Sequence, residues 1–389
     1  MLFLVSPVVV DNPDTLVAPY VEWRERLDQT QNPTFSTAAQ KNGSNVYTRV
    51  RAGSDFIFAP RITGRFEYQY SHDLFFSDAA NGSKDASDVS LGYLKYSGDA
   101  FTLTAGRQKI DWGNQRLIGS SDWTMLGRSF DGARLQFGKL DIFAATVGVD
   151  GNRTPEARVG GIACANRLGT TQVIIKHDRA AGGSVDVQTL DHSLTASFGR
   201  FNLDAEGAVQ TGKNQGTDQK AWAYHVGVGT DFVLGTTLKV EYNAASGGGD
   251  ANTTRTFDNL YPTNHDQYGL SDLTGWKNVN DFAVKLEKAN VHGISLKAEY
   301  HNLSLRDASD AWYNAAGGVN VGENGNLVDP TGASGRDLGQ EFDLSASYGL
   351  GKGTLSAGFS YFKPGNFTQA VGGFSDARKF GYIQFQVRF

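Results

Sequence analysis

Phe101-Thr-Leu-Thr-Ala105 and Ala133-Arg-Leu-Gln-Phe137 each alternate large and small residues at period two, the pattern of half-buried β-strands. Between them runs Gly-Arg-Gln-Lys-Ile-Asp-Trp-Gly-Asn-Gln-Arg-Leu-Ile-Gly-Ser-Ser-Asp-Trp (residues 106–123), followed by Arg128 and Phe130-Asp131-Gly132. The excursion is too long for a hairpin turn and too rich in Arg, Asn, Asp and Trp for a plain linker. Loops longer than about 12–15 residues in a β-rich chain usually carry function. The segment reads as a loop at the mouth of a barrel, or folded into it.

The same period runs through the chain. In the stretch 61–70, Ile62, Phe66, Tyr68 and Tyr70 oppose Arg61, Thr63, Arg65, Glu67 and Gln69. Leu238, Val240 and Tyr242 oppose Lys239 and Glu241, and Leu296, Ala298 and Tyr300 oppose Lys297 and Glu299. Period-two runs separated by Gly/Pro/Asn/Asp clusters predict about eighteen strands. They fall at 16–27, 44–58, 61–72, 88–97, 100–109, 130–138, 139–148, 157–166, 170–177, 189–198, 201–211, 220–233, 236–245, 277–288, 292–304, 339–349, 354–363 and 378–389. Short connections such as Ala59-Pro60, Gly138-Lys139 and Gly199-Arg200 alternate with long ones at 28–43, 73–87, 110–129, 149–156, 178–188, 212–219, 246–276, 305–338 and 364–377. Long loops at one end and short turns at the other are the arrangement of a transmembrane antiparallel β-barrel. Lys109 sits out of parity with Phe101, Leu103 and Ala105, which a bulge at Gly106 or emergence from the bilayer would explain.

Composition agrees with this all-β class. The 389 residues include 47 Gly, 24 Phe, 15 Tyr and 6 Trp, and no stretch supplies the ~18 apolar residues of a membrane helix. Mean hydropathy is nonetheless −0.36, as expected where lumen-facing and lipid-facing residues average out. A net charge of −5 argues against nucleic acid. The one cysteine, Cys164, rules out an intrachain disulfide and reads as a small strand residue. Residues 1–15 read as a residual leader or periplasmic segment, since Met1–Val10 is apolar but lacks a basic region and a small-x-small cleavage site. Residues 16–389 form the single barrel. Its last strand points Ile383, Phe385, Val387 and Phe389 one way and Gln384, Gln386 and Arg388 the other.

Gly106-Arg-Gln108, Asp111-Trp-Gly-Asn-Gln-Arg116, Gly119, Trp123 and Phe130-Asp-Gly132 resemble the alginate export family of bacterial outer-membrane proteins. So do Val46–Gly53, Phe257–His265 with Tyr268-Gly269, Leu338–Asp343 and the closing strand. The resemblance implies an eighteen-stranded barrel in the outer membrane that carries an anionic polysaccharide through an arginine-lined constriction. Separately, a C-terminal aromatic on an amphipathic strand, here Phe389, resembles the signal read by the outer-membrane barrel assembly machinery. The expected partners are therefore the polysaccharide or oligosaccharide, outer-membrane lipid and that machinery, with the barrel acting as a monomer.

With parity fixed by the lipid-facing aromatics, Arg24, Arg26, Arg49, Arg51, Arg61 and Arg65 fall on the lumen side of the first three strands, against Glu22 and Glu67. Arg134, Arg378 and Arg388 join them, whereas Asp204, Glu206, Lys239, Glu241, Lys285, Glu287, Lys297, Glu299, Glu341 and Asp343 make the opposite sector mixed. Guanidinium forks bind repeated carboxylates in pairs of hydrogen bonds and stay charged. The loop arginines Arg107, Arg116 and Arg128 would extend the path into the constriction. The strand arginines serve equally well as rungs that stiffen the wall. Asp111, Asn114, Asp122 and Asp131 are read as fixing the loop's fold, and Trp112 and Trp123 as packing it on the wall or stacking on sugars. No cofactor is expected and no catalytic signature occurs, although a barrel enzyme is the alternative of another class and a small-solute or anion-selective porin the alternative within transport. The loop acids Asp250, Asp258, Asp266, Asp272, Asp307, Asp310, Glu323, Asp329 and Asp337 could hold a surface Ca²⁺, but they lack EF-hand spacing and read as solvated acids.

Overall fold

The computed structural model describes residues 8–9, 16–33, 35, 42–75, 83–149, 152–179, 183–265, 267–322, 325–373 and 375–389. Eighteen antiparallel strands close into a barrel: β1 (Leu16–Gln31), β2 (Gly43–Ala59), β3 (Ile62–Phe75), β4 (Ser83–Ser97), β5 (Phe101–Gln108), β6 (Arg128–Phe137), β7 (Leu140–Val149), β8 (Asn152–Asn166) and β9 (Gly169–Asp178), then β10 (Val185–Phe198), β11 (Phe201–Asn214), β12 (Thr217–Asp231), β13 (Thr237–Ala245), β14 (Val279–Val291), β15 (Ile294–Leu305), β16 (Asp337–Leu350), β17 (Gly353–Pro364) and β18 (Arg378–Arg388). Each strand pairs with its sequence neighbours, and β18 closes on β1 from Glu22↔Arg388 to Gln31↔Lys379. Closure removes the edges that an open sheet would leave unpaired in lipid.

Alternation sorts the side chains as expected. Phe66, Tyr68, Tyr70, Leu94, Val209, Leu344 and Ile383 face out and are exposed, while Glu67, Gln69, Ser71, Glu341 and Asp343 face in and are buried. At the short-turn end Phe101, Phe137, Phe198, Phe201 and Phe232 stand outward, an aromatic girdle of the kind that marks a bilayer interface.

Three expectations are corrected. The connections expected at 149–156 and 212–219 are tight. β11 and β12 stay paired to Asn214↔Thr217, and β7 and β8 to Val149↔Asn152. A strand of about 9–11 residues crosses the bilayer, so the 14 residues of β11 and 15 of β12 continue as a ladder into water. There polar residues replace the alternation, and the sequence reads as loop. The long-then-short rhythm is accordingly not strict.

Gly106 carries no register bulge in the β5–β6 pair, which runs unbroken from Phe101↔Phe137 to Gln108↔Phe130. Lys109 escapes the parity because the strand has ended. The bulge lies nearby in β4, where Ser90 turns inward and donates to Glu67 Oε1 at 2.5 Å.

The long connections fold back into the barrel. L3 (residues 109–127), L7 (246–278) and L8 (306–336) bring Ile110, Trp112, Leu117, Ile118, Phe257, Tyr268, Trp276, Trp312 and Leu327 into one buried apolar cluster with Phe143, Val147, Val159 and Ile174 of the wall. The helix α1 (Asn366–Gly372) adds Phe367. The interior over β7–β12 is thus a packed core.

Placing Arg at Leu344, on the outer face, is expected to cost about 2–4 kcal/mol in unfolding from phospholipid vesicles. The same residue at inward Ser345 should cost under about 1 kcal/mol. Equal costs would refute the assignment of faces.

Candidate functional site

L3 leaves the wall at Gln108 and descends far into the barrel. Trp112 donates Nε1 to Asp141 Oδ2 (3.1 Å), close to the turn at Lys139, and packs edge-on against Phe143 (4.6 Å, 87°). Gly161 leaves room for the indole: a Cβ there would lie 3.0 Å from its Cζ3. Asp111 accepts Ser120 N (2.6 Å). Asn114 accepts Arg116 N (3.1 Å) and donates to Glu206 of the far wall.

L3 and L7 are stitched together. Tyr261 N donates to Leu117 O (2.9 Å) and Gly119 N to Tyr261 O (2.8 Å), a single parallel bridge inside the lumen, and Thr263 N donates to Gln115 O (2.9 Å) beside it. Gly119 is required there, because a Cβ would sit 2.2 Å from Thr263 Oγ1. Arg128 gathers the carbonyls of Gly119 (2.8 Å), Tyr261 (2.6 Å) and Pro262 (2.9 Å) on one guanidinium nitrogen. Arg116 is buried between Tyr268 Oη (2.9 Å), His225 Nδ1 (3.2 Å) and Glu206 (3.4 Å).

The tip of L3 meets the basic sector. Arg24 donates to the carbonyls of Asp122 (2.7 Å) and Thr124 (2.7 Å), and Arg26 to that of Trp123 (2.8 Å). Gln69 and Ser71 take the carbonyls of Leu126 (2.9 Å) and Met125 (2.8 Å). The Asp122 carboxylate receives Arg49 (3.2 Å), Arg51 (2.6 Å) and Lys109 (2.9 Å). Partial burial opposes its ionisation, but those three charges outweigh it and hold Asp122 well below the usual carboxylate range. Trp123 is flanked by the Arg26 guanidinium (3.9 Å) and a stacked His265 ring (3.8 Å, 7°).

The strand and loop arginines are therefore not a bare lining: Arg24, Arg26, Arg49, Arg51, Arg116 and Arg128 hold L3 and L7 in place. Arg65 pairs with Asp55 (2.5 Å) and Arg134 with Asp141 (2.5 Å) in the wall below. Arg107 lies apart from the constriction. It shares the face of Leu103 and pairs laterally with Asp131 (2.6 Å) and Asp88 (3.2 Å).

Two polar cavities of about 580 and 400 Å³ adjoin along the L3 tip. Trp123, Thr124, Ser271, Asp272 and Arg378 line both; Arg26, Asp28, Tyr47 and Asp73 complete the first, and Arg128, His265 and Asn320 the second. Lys109, His265 and Asp272 were not singled out as path residues by the sequence. Lys109 looked like a parity misfit, and His265 acquires its role only by meeting Trp123 across 142 positions of chain. The described loop acids mostly have protein partners: Asp250 with Arg255, Asp258 with Lys176, Asp272 with His265, Asp310 with Tyr313, and Asp307 and Asp329 with nearby hydroxyls. Asp266 and Glu323 lie outside the described residues.

A model of the alginate export family matches residues 20–147 and 169–381. The chain belongs to the alginate export family. Among curated proteins no sequence relative matches it. Its fold is that of solved outer-membrane barrels. The outer membrane protein opdK of Pseudomonas aeruginosa is 11% identical at TM-score 0.63, covering 96% of this chain and 98% of that one. OccAB1 of Acinetobacter baumannii is 12% identical at TM-score 0.63, with 96% and 97% covered. Family and fold together make this chain an outer-membrane channel and point away from an enzyme.

Asp122 keeps 38% of its side chain open to the lumen, so water screens its attractions. Asp122→Asn is expected to cost about 1–3 kcal/mol in reversible unfolding. Because the folded carboxyl lies below its unfolded value, this contribution is present above the unfolded pKa and is lost only as pH falls through the depressed folded value. The wild-type and Asp122→Asn stability curves should therefore stay parallel from pH 7 to about pH 5 and converge only in stronger acid. Curves that converge near neutral pH would contradict the ion cluster.

Proposed function

We propose that this channel passively exports an anionic polysaccharide, a polyuronate of the alginate type, past the Arg49–Arg51–Lys109 cluster. One observation carries the reading: in the lumen, three cations converge on a carboxylate that belongs to a loop. Asp122 stands where a uronate carboxylate of the polymer would bind, so an entering chain exchanges one anion for another without leaving the guanidinium groups unpaired. Each contact is traded for an equivalent one, which keeps binding weak enough for release. Displacing Asp122 loosens the grip on the L3 tip, and the two cavities beside Trp123 then join into one passage. Arg26, Arg378 and Arg128 continue the cationic path, while Trp123 and Tyr47 offer flat faces to sugar rings. Family membership supports the substrate class.

Conductance across planar bilayers tests this. The wild-type pore should prefer anions and be blocked by added polyuronate. Arg49→Glu combined with Arg51→Glu should reverse the ion preference and lift the block; unchanged selectivity would remove the cluster from the path.

The crowding of the lumen by L3, L7 and L8 favours a second reading, an anion-selective porin for small acidic saccharides. Liposome swelling separates the two. A porin passes mono- and diuronates rapidly and ignores polymer, whereas an exporter is occluded by polymer at concentrations where short uronates have no effect.

A further inference from the structure

Across the lumen from the arginines lies a group of buried acids that the channel reading does not use. Glu299 and His301 stand two residues apart on β15 and point inward, opposite Asp343 and Glu341 of β16. All four are at most 3% exposed. L7 covers them: Leu270 N donates to Asp343 Oδ2 (3.1 Å) and Ser271 N to Glu341 Oε1 (2.8 Å).

Three polar atoms in this group have no hydrogen bond, His301 Nε2, Glu341 Oε2 and Asp343 Oδ1, while Glu299 Oε1 has ion-pair contacts alone, Lys285 Nζ at 3.2 Å and His301 Nε2 at 3.9 Å. His301 Nδ1 sits 3.0 Å from Asp281 Oδ1. In the neutral ring that contact makes Nδ1 the donor and leaves the lone pair on Nε2. An imidazole steadied by a carboxylate in this way is the usual arrangement of a metal-bound histidine. Glu299, His301 and Asp343 each present one ligating atom, all within 4.8 Å of one another. Bonds of about 2.0–2.2 Å would meet at a common ion after a small closure.

Charge points the same way. Among the described residues, Asp281, Glu299, Glu341 and Asp343 meet two ammonium groups, Lys285 (3.2 Å from Glu299 Oε1) and Lys297 (2.9 Å from Glu299 Oε2). Lys285 is shared with Glu241 at 2.9 Å. Nearby Arg378 gives its hydrogen bonds to the carbonyls of Pro33 and Ser271. The other histidine–carboxylate cluster, Asp204–His225–Glu241, makes an instructive contrast. There Lys239 already bridges both acids, at 3.0 and 2.6 Å, and His225 Nε2 meets Asp204 at 2.5 Å. That cluster is complete; the one at His301 is not.

We propose that Glu299, His301 and Asp343, with Glu341 beside them, bind a divalent first-row transition cation. One imidazole with carboxylate oxygens suits Zn²⁺ or Mn²⁺. Because Asp343 and Glu341 also hold Leu270 and Ser271, the ion fastens L7 to the wall opposite the L3 grip.

The purified full-length barrel, stripped with EDTA in detergent and re-exposed to Zn²⁺ alone or Mn²⁺ alone, provides the test. After desalting, one equivalent per chain should remain by elemental analysis, and the thermal midpoint should rise by several degrees over the stripped protein. His301→Ala and Asp343→Asn should each lower retained metal at least tenfold, while His225→Ala retains it. Pulsed electron paramagnetic resonance of the Mn²⁺ form should show one imidazole nitrogen, a readout on wild-type protein that needs no variant to fold. Folded wild-type protein holding neither cation would overturn the proposal and leave a water or a shared proton in the gap. Metal that persists in both folded variants, or a Mn²⁺ signal without imidazole coupling, would overturn it as well.

Discussion

A barrel of eighteen strands is too wide for side chains from its own wall to fill, so its interior must be water, or loop. In this chain it is largely loop, and the grip of four guanidinium groups on the L3 tip makes that arrangement tenable. Arg24, Arg26, Arg49 and Arg51 take up the carbonyls of Asp122, Trp123 and Thr124 and the carboxylate of Asp122. A loop drawn into a barrel brings unpaired backbone carbonyls with it, and leaving them without partners is costly. Arginine suits the task because one planar fork serves several acceptors and keeps its charge.

The opposite half of the lumen is organised by packing instead. Trp112, Ile118, Phe257 and Trp276 leave their loops to join Phe143 and Ile174 on the wall. The backbone hydrogen bonds between residues 115–119 and 261–263, clamped by Arg128, make L3 and L7 a single body. That body is bound to the basic wall through Asp122 and to the acidic wall through Leu270 and Ser271. The cavities that share Trp123 and Arg378 lie beside this body.

Polar interactions inside this barrel have a dual character. On the proposed function, the same geometry that stiffens the wall, Arg against Glu22, Asp122 or Glu67, presents cations where a polyanion would pass. A structural role and a transport role do not compete at these positions, provided the structural partner is an anion that the solute can replace. Asp122 meets that condition because it belongs to a loop. Asp55 and Asp141, the partners of Arg65 and Arg134, belong to the wall and would stay in place.

The barrel, its strand number and the facing of most residues were legible in the sequence alone, because lipid on one side and lumen on the other enforce a period of two that hydrogen-bonding geometry transmits along every strand. Ile62 to Tyr70 and Ile383 to Phe389 show this without any reference to tertiary contacts. Where strands rise into water the constraint lapses, and residues 212–219 read as loop although their backbone is paired. The lumen was decided only by the tertiary structure. Whether Arg49 faces solute or Asp122 and whether His265 stacks on Trp123 both depend on where loops of twenty or thirty residues come to rest. That position is set by contacts between segments about 50 to 150 residues apart, and no local period records them.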